Sequence, residues 1–167
     1  MPLHSRSMHA AIVDLARLDL TRVIAGPSQI GEACMQRGRM ALLDGILHFD
    51  EAGMSSVGFK DVRSTDWWAP DHIPGRPLFP GALMCEAAAQ LSTYDFMTRR
   101  RKQGLPPIFV GFGGMENVRF RATVVPDCRL VLACKVHRIR EKLFTYATQG
   151  FVEKKLVFEA EILGVVV

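Results

Sequence analysis

The sequence has no long apolar run and no leader-like N-terminus, and both absences bear on where the protein works. No apolar stretch approaches the roughly 18 residues that a membrane-spanning helix needs. Near the N-terminus, Asp14 and Asp19 interrupt the apolar core that a secretory signal would require. We therefore expect a cytoplasmic protein that does not bind or enter a membrane.

Cysteine is scarce and irregularly placed. The four cysteines stand at positions 34, 85, 128 and 134, with no CxxC pair. This spacing is typical of reduced intracellular thiols rather than of a disulfide framework. A zinc site would have to combine Cys128, Cys134 and His137, whose spacing fits no structural zinc site. The sequence thus predicts no metal.

Nucleic-acid signatures are also missing, although the net charge is +4 and the pI is near 9.1. No aromatic-and-basic RNA motif or recognition helix accompanies the charge, so we expect no nucleic-acid partner. An acidic protein partner is compatible with this positive charge. Exposure to solvent alone explains most of the basic residues. The basic residues available to such a partner are Arg99, Arg100, Arg101, Lys102, Arg119, Arg121, Arg138, Arg140 and Lys142.

The chain divides into an N-terminal appendage, residues 1–28, and a main domain, residues 29–167. Ile12, Leu15 and Leu18 predict a short amphipathic helix over 9–20, and Gly26-Pro27 punctuates its end. The main domain is long enough to bury about two thirds of its unfolded surface without disulfides or metals.

The main domain is organised around a stiff loop that runs into a helix. Prolines at positions 70, 74, 77 and 80 stiffen the loop, which carries His72. Pro80-Gly81 then starts a helix, predicted over 82–101, whose basic C-terminal residues suit the negative end of the helix dipole. Small or apolar residues cover most of this helix, which predicts that it is buried.

Strand patterns lie on both sides of this helix. A hairpin is predicted from strands 46–49 and 54–62, and four strands follow at 108–120, 128–139, 143–153 and 155–167. Their short connections favour an antiparallel meander. We therefore predict an α+β fold in which a strongly curved antiparallel sheet wraps around one long central helix.

His72 and Glu86 are the histidine and the carboxylate that fall on this loop and this helix, which makes them a candidate acid/base pair. Removal of water across two carbons needs a base for the α proton, a role for neutral imidazole, and an acid for the departing hydroxyl. A glutamate acts as that acid only if its surroundings favour the protonated form, as burial does. The residues alone are also compatible with a histidine that caps the loop and with a glutamate that faces solvent or pairs with Arg76.

Four further residues are candidates for substrate binding. Free backbone N–H groups at the helix start, near Pro80, Gly81 and Ala82, are placed to polarise a thioester carbonyl. Gln90 lies one turn after Glu86 and either orients the carboxylate or is an ordinary helix amide.

The stretch DHIPGRPLFPGALMCEAAAQ (residues 71–90) resembles the signature HFPxxPxxPGVLxxEAxAQ of the hot-dog-fold 3-hydroxyacyl-acyl carrier protein dehydratases. The match is in register from His72 through Pro80-Gly81 to Glu86-Ala87 and Gln90. Weaker similarity upstream involves Arg37 and residues 42–44, and clearer similarity continues downstream, so that it spans about residues 36–165. Glutamate at position 86 resembles the dehydratase-only branch more than the dehydratase/isomerase branch.

This resemblance implies specific roles. It implies that His72 is the base and Glu86 the acid, contributed by different subunits of a homodimer, or of a trimer of such dimers. It implies a substrate thioester carried on the phosphopantetheine of acyl carrier protein, with its carbonyl bonded at Gly81, and no metal or other cofactor.

The chain departs from the family pattern beside the histidine. Asp71 replaces a glycine there, and it either favours the protonated imidazole or lies in solvent. The upstream histidine-and-proline segment is largely lost. These departures leave two alternatives to the dehydratase: a hot-dog thioesterase that uses Glu86 to activate water, and a non-catalytic subunit that binds the acyl thioester or acyl carrier protein.

Overall fold

A computed structural model describes residues 10–167. The fold of these residues is built on one long helix. This helix, α2 (Gly81–Lys102), follows a short helix, α1 (Pro27–Ala33). The predicted helix over 82–101 is confirmed, and so is its burial, since Ala87, Ala88 and Leu91 expose none of their surface. Within residues 10–167, no helix has the length and apolar character required to cross a membrane.

Six strands form a single antiparallel sheet against α2, which confirms the predicted α+β fold. They are β1 (Gly45–Asp50), β2 (Ser55–Val62), β3 (Val110–Phe120), β4 (Cys128–Ile139), β5 (Leu143–Val152) and β6 (Lys155–Val166). Their order in the sheet is β1-β2-β4-β5-β6-β3. The predicted first hairpin is present as β1 and β2.

The predicted meander of the last four strands is wrong for β3. Strands β4, β5 and β6 follow one another in the sheet, but β3 pairs with β6 at the far edge. Residues 121–127 therefore cross about three strand spacings, roughly 14 Å, which seven extended residues can span. The crossing segment is held by a hydrogen bond from Arg121 N to Val157 O, 2.7 Å.

The helix predicted over 9–20 is also wrong within the described part, residues 10–20, where a single 3-10 turn forms at Leu15–Arg17. The side chain of Gln149 accepts a hydrogen bond from Ile12 N at 2.9 Å and donates one to Ala10 O at 3.2 Å. These contacts use backbone groups that a helix would need. The apolar residues of the segment instead pack against the outer sheet residues Leu47, Val57, Phe59 and Ala133. The domain boundary at residue 28 stays a prediction.

A buried polar cluster fixes the C-terminal half of α2 against the sheet. Asp95 is fully buried and accepts hydrogen bonds from Ser56 Oγ (2.5 Å), Tyr146 Oη (2.6 Å) and Arg99 Nε (2.7 Å). Arg99 also donates to the carbonyl oxygens of Asp50 and Glu51, both at 2.9 Å. Burial, followed by the charge of Asp95, raises the pKa of Tyr146. The sequence analysis missed this cluster, whose only local signal is a carboxylate and an arginine four residues apart in an apolar helix.

Candidate active site

The proline loop holds His72 by two hydrogen bonds to main-chain oxygens. Its backbone N–H donates to Trp68 O at 2.8 Å, and its side-chain Nδ1 lies 2.8 Å from Leu78 O. Because a carbonyl oxygen only accepts, Nδ1 must carry the proton, and Nε2 of the neutral ring has a free lone pair. The half-buried imidazole thus keeps Nε2 as its acceptor nitrogen.

The backbone next to His72 is strained. Ile73 has a φ of 59°, in the left-handed region that β-branched residues rarely adopt. Such conformations concentrate at functional sites, where the surrounding structure enforces them. Here the loop is anchored by Phe79, whose N–H donates to Val124 O at 2.8 Å and whose ring centroid lies 5.3 Å from that of the buried Trp68.

Helix α2 begins directly after this anchor. Pro80 O accepts hydrogen bonds from Leu83 N (2.9 Å) and Met84 N (3.1 Å). Within residues 10–167 the N–H groups of Gly81 and Ala82 have no acceptor, as expected at a helix N-terminus. A Cβ on Gly81 would lie 2.7 Å from the ring of Phe120, so a larger residue here would require that half-exposed ring to move.

Gln90 holds Glu86 by a hydrogen bond. This agrees with the interpretation in which the amide of Gln90 orients the carboxylate. Gln90 Nε2 donates to Glu86 Oε1 at 2.8 Å and to Met40 O at 2.6 Å, while Gln90 Oε1 accepts from Leu42 N at 3.0 Å. Gln90 is only 2% exposed. One buried amide therefore ties the segment before β1 to α2 and also positions the candidate acid.

Glu86 faces a small cavity of about 50 Å³. Its polar lining consists of Glu86, Thr93 and Gln36, and the remaining lining residues are Ala89, Val110, Gly111, Phe112, Phe144, Ile162, Leu163 and Gly164. Strand β3, at the sheet edge, contributes part of the wall. The sequence analysis did not single out Gln36, which carries no local signal of function.

Within one chain, among the described residues, His72 and Glu86 are not joined by a hydrogen bond and do not line a common cavity. Asp71 is exposed, and its carboxylate makes no hydrogen bond to His72 within that part. Pro80, Gly81 and Ala82 lie at the start of the helix that carries Glu86, about one turn away.

The cysteines are free thiols, and none is activated. Burial raises the pKa of Cys34 to about 12, a shift that Arg37 opposes and the charge of Glu86 reinforces. Burial also raises the pKa of Cys85, Cys128 and Cys134. Among residues 10–167 no group of three His, Cys, Asp or Glu side chains is placed to hold a metal ion.

The basic residues divide into engaged and free groups. Arg99 is buried, Arg101 pairs with Glu32, Lys102 with Glu51 and Arg121 with Glu159. Arg99 is therefore excluded from the set available to an acidic partner. Arg119, Arg138, Arg140 and Lys142 are exposed and have no ion pair among the described residues.

Comparison with known proteins agrees with the fold and with the loop–helix motif. The FabA-like domain family matches residues 35–161. The chain belongs to this family. The 3-hydroxyacyl-(acyl-carrier-protein) dehydratase FabZ of Moorella thermoacetica is 35% identical over 122 residues, covering 73% of this chain and 82% of the relative. FabZ of Clostridium botulinum (strain Eklund 17B) is 32% identical over 136 residues, covering 81% and 94%. The resemblance inferred from residues 71–90 is thereby confirmed.

Two solved structures share the fold at low sequence identity. The dehydratase heterocomplex ApeI:P from Xenorhabdus doucetiae has a TM-score of 0.72 at 12% identity, covering 83% of this chain and 90% of that one. Cj0977, a sigma28-regulated virulence protein from Campylobacter jejuni, has a TM-score of 0.61 at 15% identity, covering 84% and 88%. At these identities the similarity extends to the fold alone.

Proposed function

We propose that the protein dehydrates (3R)-3-hydroxyacyl thioesters carried on acyl carrier protein to trans-2-enoyl thioesters, as the names of its FabZ relatives indicate for them. The observation that carries the proposal is that the chain holds both groups in place, His72 by its Nδ1 so that Nε2 can accept a proton, and Glu86 by a buried amide. Neither group needs a metal or a redox cofactor to remove water from a β-hydroxy thioester. The phosphopantetheine arrives with the carrier protein.

In this mechanism His72 Nε2 takes the α proton, and the electrons of the C–H bond form the new double bond. Protonated Glu86 gives its proton to the β-hydroxyl as the C–O bond breaks, and water leaves. Gln90 positions Glu86, and the N–H groups of Gly81 and Ala82 stabilise the charge that develops on the thioester oxygen.

The exposed edge of the sheet is the observation that supports a dimer. Edge strand β3 and its approach carry exposed apolar side chains, with Phe109 and Phe112 each 56% exposed and Phe120 54% exposed. An exposed edge strand of 11 residues is a template for strand pairing, and a second copy of this chain is the occupant we propose. Because β3 also walls the cavity of Glu86, a second copy at this edge lies beside the acid. This arrangement supports a His72 from one subunit acting with a Glu86 from the other.

Acyl carrier protein remains the proposed partner. We assign four basic residues without an ion pair among residues 10–167 to meet its acidic surface: Arg119, Arg138, Arg140 and Lys142. A cytoplasmic location also remains a prediction.

The test is hydration of a crotonyl thioester, the reverse reaction, by His72→Ala and Glu86→Gln variants. We expect both to lose activity while folded, and the exposed controls His137→Ala and Glu141→Gln to keep it. Activity that survives in both active-site variants would contradict the assigned roles. Release of free thiol would instead select the thioesterase, and tight binding of acyl carrier protein without turnover would select the non-catalytic subunit.

Sharing of the site between subunits is tested by mixing the two inactive variants. In a mixed dimer, one of the two sites combines an intact His72 with an intact Glu86. Random mixing should therefore restore about one quarter of the wild-type activity if the dimer is two-fold symmetric. No recovery would place both residues in one chain.

A further inference from the structure

Gln36 lines the cavity of Glu86 and carries an acceptor oxygen that has no hydrogen-bond partner among the described residues. That oxygen, Oε1, is buried. Leaving such an atom unpaired is unfavourable, so a buried acceptor of this kind normally serves a donor. Gln36, Glu86 and Thr93 are the polar residues of a lining that is otherwise apolar.

The position of Gln36 is fixed by the residues on either side of it. Arg37 donates from its guanidinium to Cys34 O (2.7 Å), Gln36 O (2.8 Å) and Gly31 O (2.7 Å), which locks the turn after α1. Cys34 Sγ donates to Gln90 O at 3.4 Å, and the Gln90 side chain bonds Met40 and Leu42. The segment that carries Gln36 is thus anchored at both ends to the residue that positions Glu86.

The cavity has the size and chemistry of a water site. Its volume of about 50 Å³ exceeds what a single water needs, and two of its lining residues, Glu86 and Gln36, have side-chain oxygens that can accept hydrogen bonds. A water molecule has two O–H donors, one for each acceptor. The carboxylate is also the group that delivers the proton to the departing hydroxyl in the proposed reaction.

We infer that Gln36 binds the water that the dehydration releases, and orients the attacking water in the reverse reaction. As protonated Glu86 gives its proton to the β-hydroxyl, the C–O bond breaks with its electron pair on oxygen, and neutral water forms. One hydrogen of that water then bonds to Gln36 Oε1 and the other to the Glu86 carboxylate. This inference rests on the proposed function, and it adds a residue that touches a reacting atom.

Two variants of Gln36 separate this role from a structural one. Gln36→Met removes the acceptor at similar volume with an unbranched side chain, and Gln36→Glu keeps an acceptor oxygen but removes the amide donor. We expect Gln36→Met to lower kcat about tenfold, the effect of one lost hydrogen bond in the transition state, with KM unchanged. Because Gln36→Glu keeps an acceptor oxygen, its kcat at its own pH optimum, measured over a full pH profile, should lie clearly above that of Gln36→Met.

The matched control is Gln103→Met, an exposed glutamine beyond the C-terminus of α2, which should leave both constants unchanged. An unchanged kcat in Gln36→Met, with active wild-type enzyme, overturns the water-binding role alone. A folded Gln36→Glu variant that loses about tenfold in kcat at its own pH optimum also overturns it, and this outcome decides the question if Gln36→Met does not fold. Wild-type protein without dehydratase activity would overturn the proposed function, and this inference with it.

Discussion

Gln90 Nε2 lies 2.8 Å from Glu86 Oε1, one helical turn away, and the same nitrogen lies 2.6 Å from Met40 O. The candidate acid and the segment that precedes the sheet are therefore held by a single amide. The positioning of Glu86 cannot be separated from the packing of residues 40–42 on α2. This coupling gives the first prediction.

Replacing Gln90 with leucine should lower both stability and activity. The change leaves Met40 O and Leu42 N without their partner, which should cost about 3 kcal/mol of unfolding free energy. Glu86 loses its donor, so kcat should fall as well. Urea denaturation and the crotonyl thioester assay measure the two effects, with Gln103→Leu as the exposed control. A wild-type urea midpoint in Gln90→Leu would show that the amide does not tie these elements together.

The buried cluster around Asp95 should dominate the stability of the C-terminal half of α2. Arg99→Met leaves the Asp95 carboxylate buried without its cation, and should cost about 3–5 kcal/mol. Arg101→Met on the same helix breaks only the exposed pair with Glu32 and should change stability by less than about 0.5 kcal/mol. Urea denaturation compares the two, and equal effects would contradict the assigned importance of burial.

Gly81 and Phe120 should be energetically coupled. Alanine suits a helix better than glycine, so a loss of stability in Gly81→Ala would come from contact with the Phe120 ring. A double-mutant cycle with Phe120→Ala measures this coupling. The loss of unfolding free energy in the double variant should be about 1 kcal/mol smaller than the sum of the losses in the two single variants. Additive costs would mean that the exposed ring simply moves aside. The thioester assay on the same four proteins tells whether the helix start also loses activity.

Stability should decline in alkali partly through Cys34. Its pKa is raised in the folded protein to about 12 from an ordinary value of 9.0. Above about pH 9 the unfolded chain releases this proton while the folded chain keeps it, so the unfolding free energy falls as pH rises. Cys34→Ala should weaken that decline, measured by urea denaturation at about pH 8 and about pH 11. Met35→Ala removes no titratable group and should keep the wild-type pH dependence, and an unaltered slope in Cys34→Ala would refute the prediction.

A charge on the edge strand should disrupt the proposed dimer. Met115 lies on β3 and is 37% exposed, and Met115→Lys places an ammonium group where a second copy would pack. Light scattering should then report a smaller species, with loss of activity because each site would lack its partner's residue. Met35→Lys, at a position that is 70% exposed and outside the sheet, should leave the assembly unchanged. A Met115→Lys variant that keeps the wild-type mass would argue for another interface.

The elements with strong local signals could be predicted from the sequence. The Pro80-Gly81 start, the small apolar residues and the basic end predicted α2 to within one residue at each terminus, and the bounds of β4 were predicted without error. The motif from His72 to Gln90 also predicted the family. These signals act between residues a few positions apart, so one segment contains them.

The pairings between distant segments were decided only by the tertiary structure. The short link at 121–127 is compatible with a hairpin, but β3 pairs with β6, because strand partners are selected by competition across the whole sheet. Residues 10–20 have helical periodicity, yet the sheet face and Gln149 offer their apolar and backbone groups better partners. Gln36 lines the same cavity as Glu86 because Cys34 and Met40 are both bonded to Gln90, a long-range arrangement that no local pattern encodes.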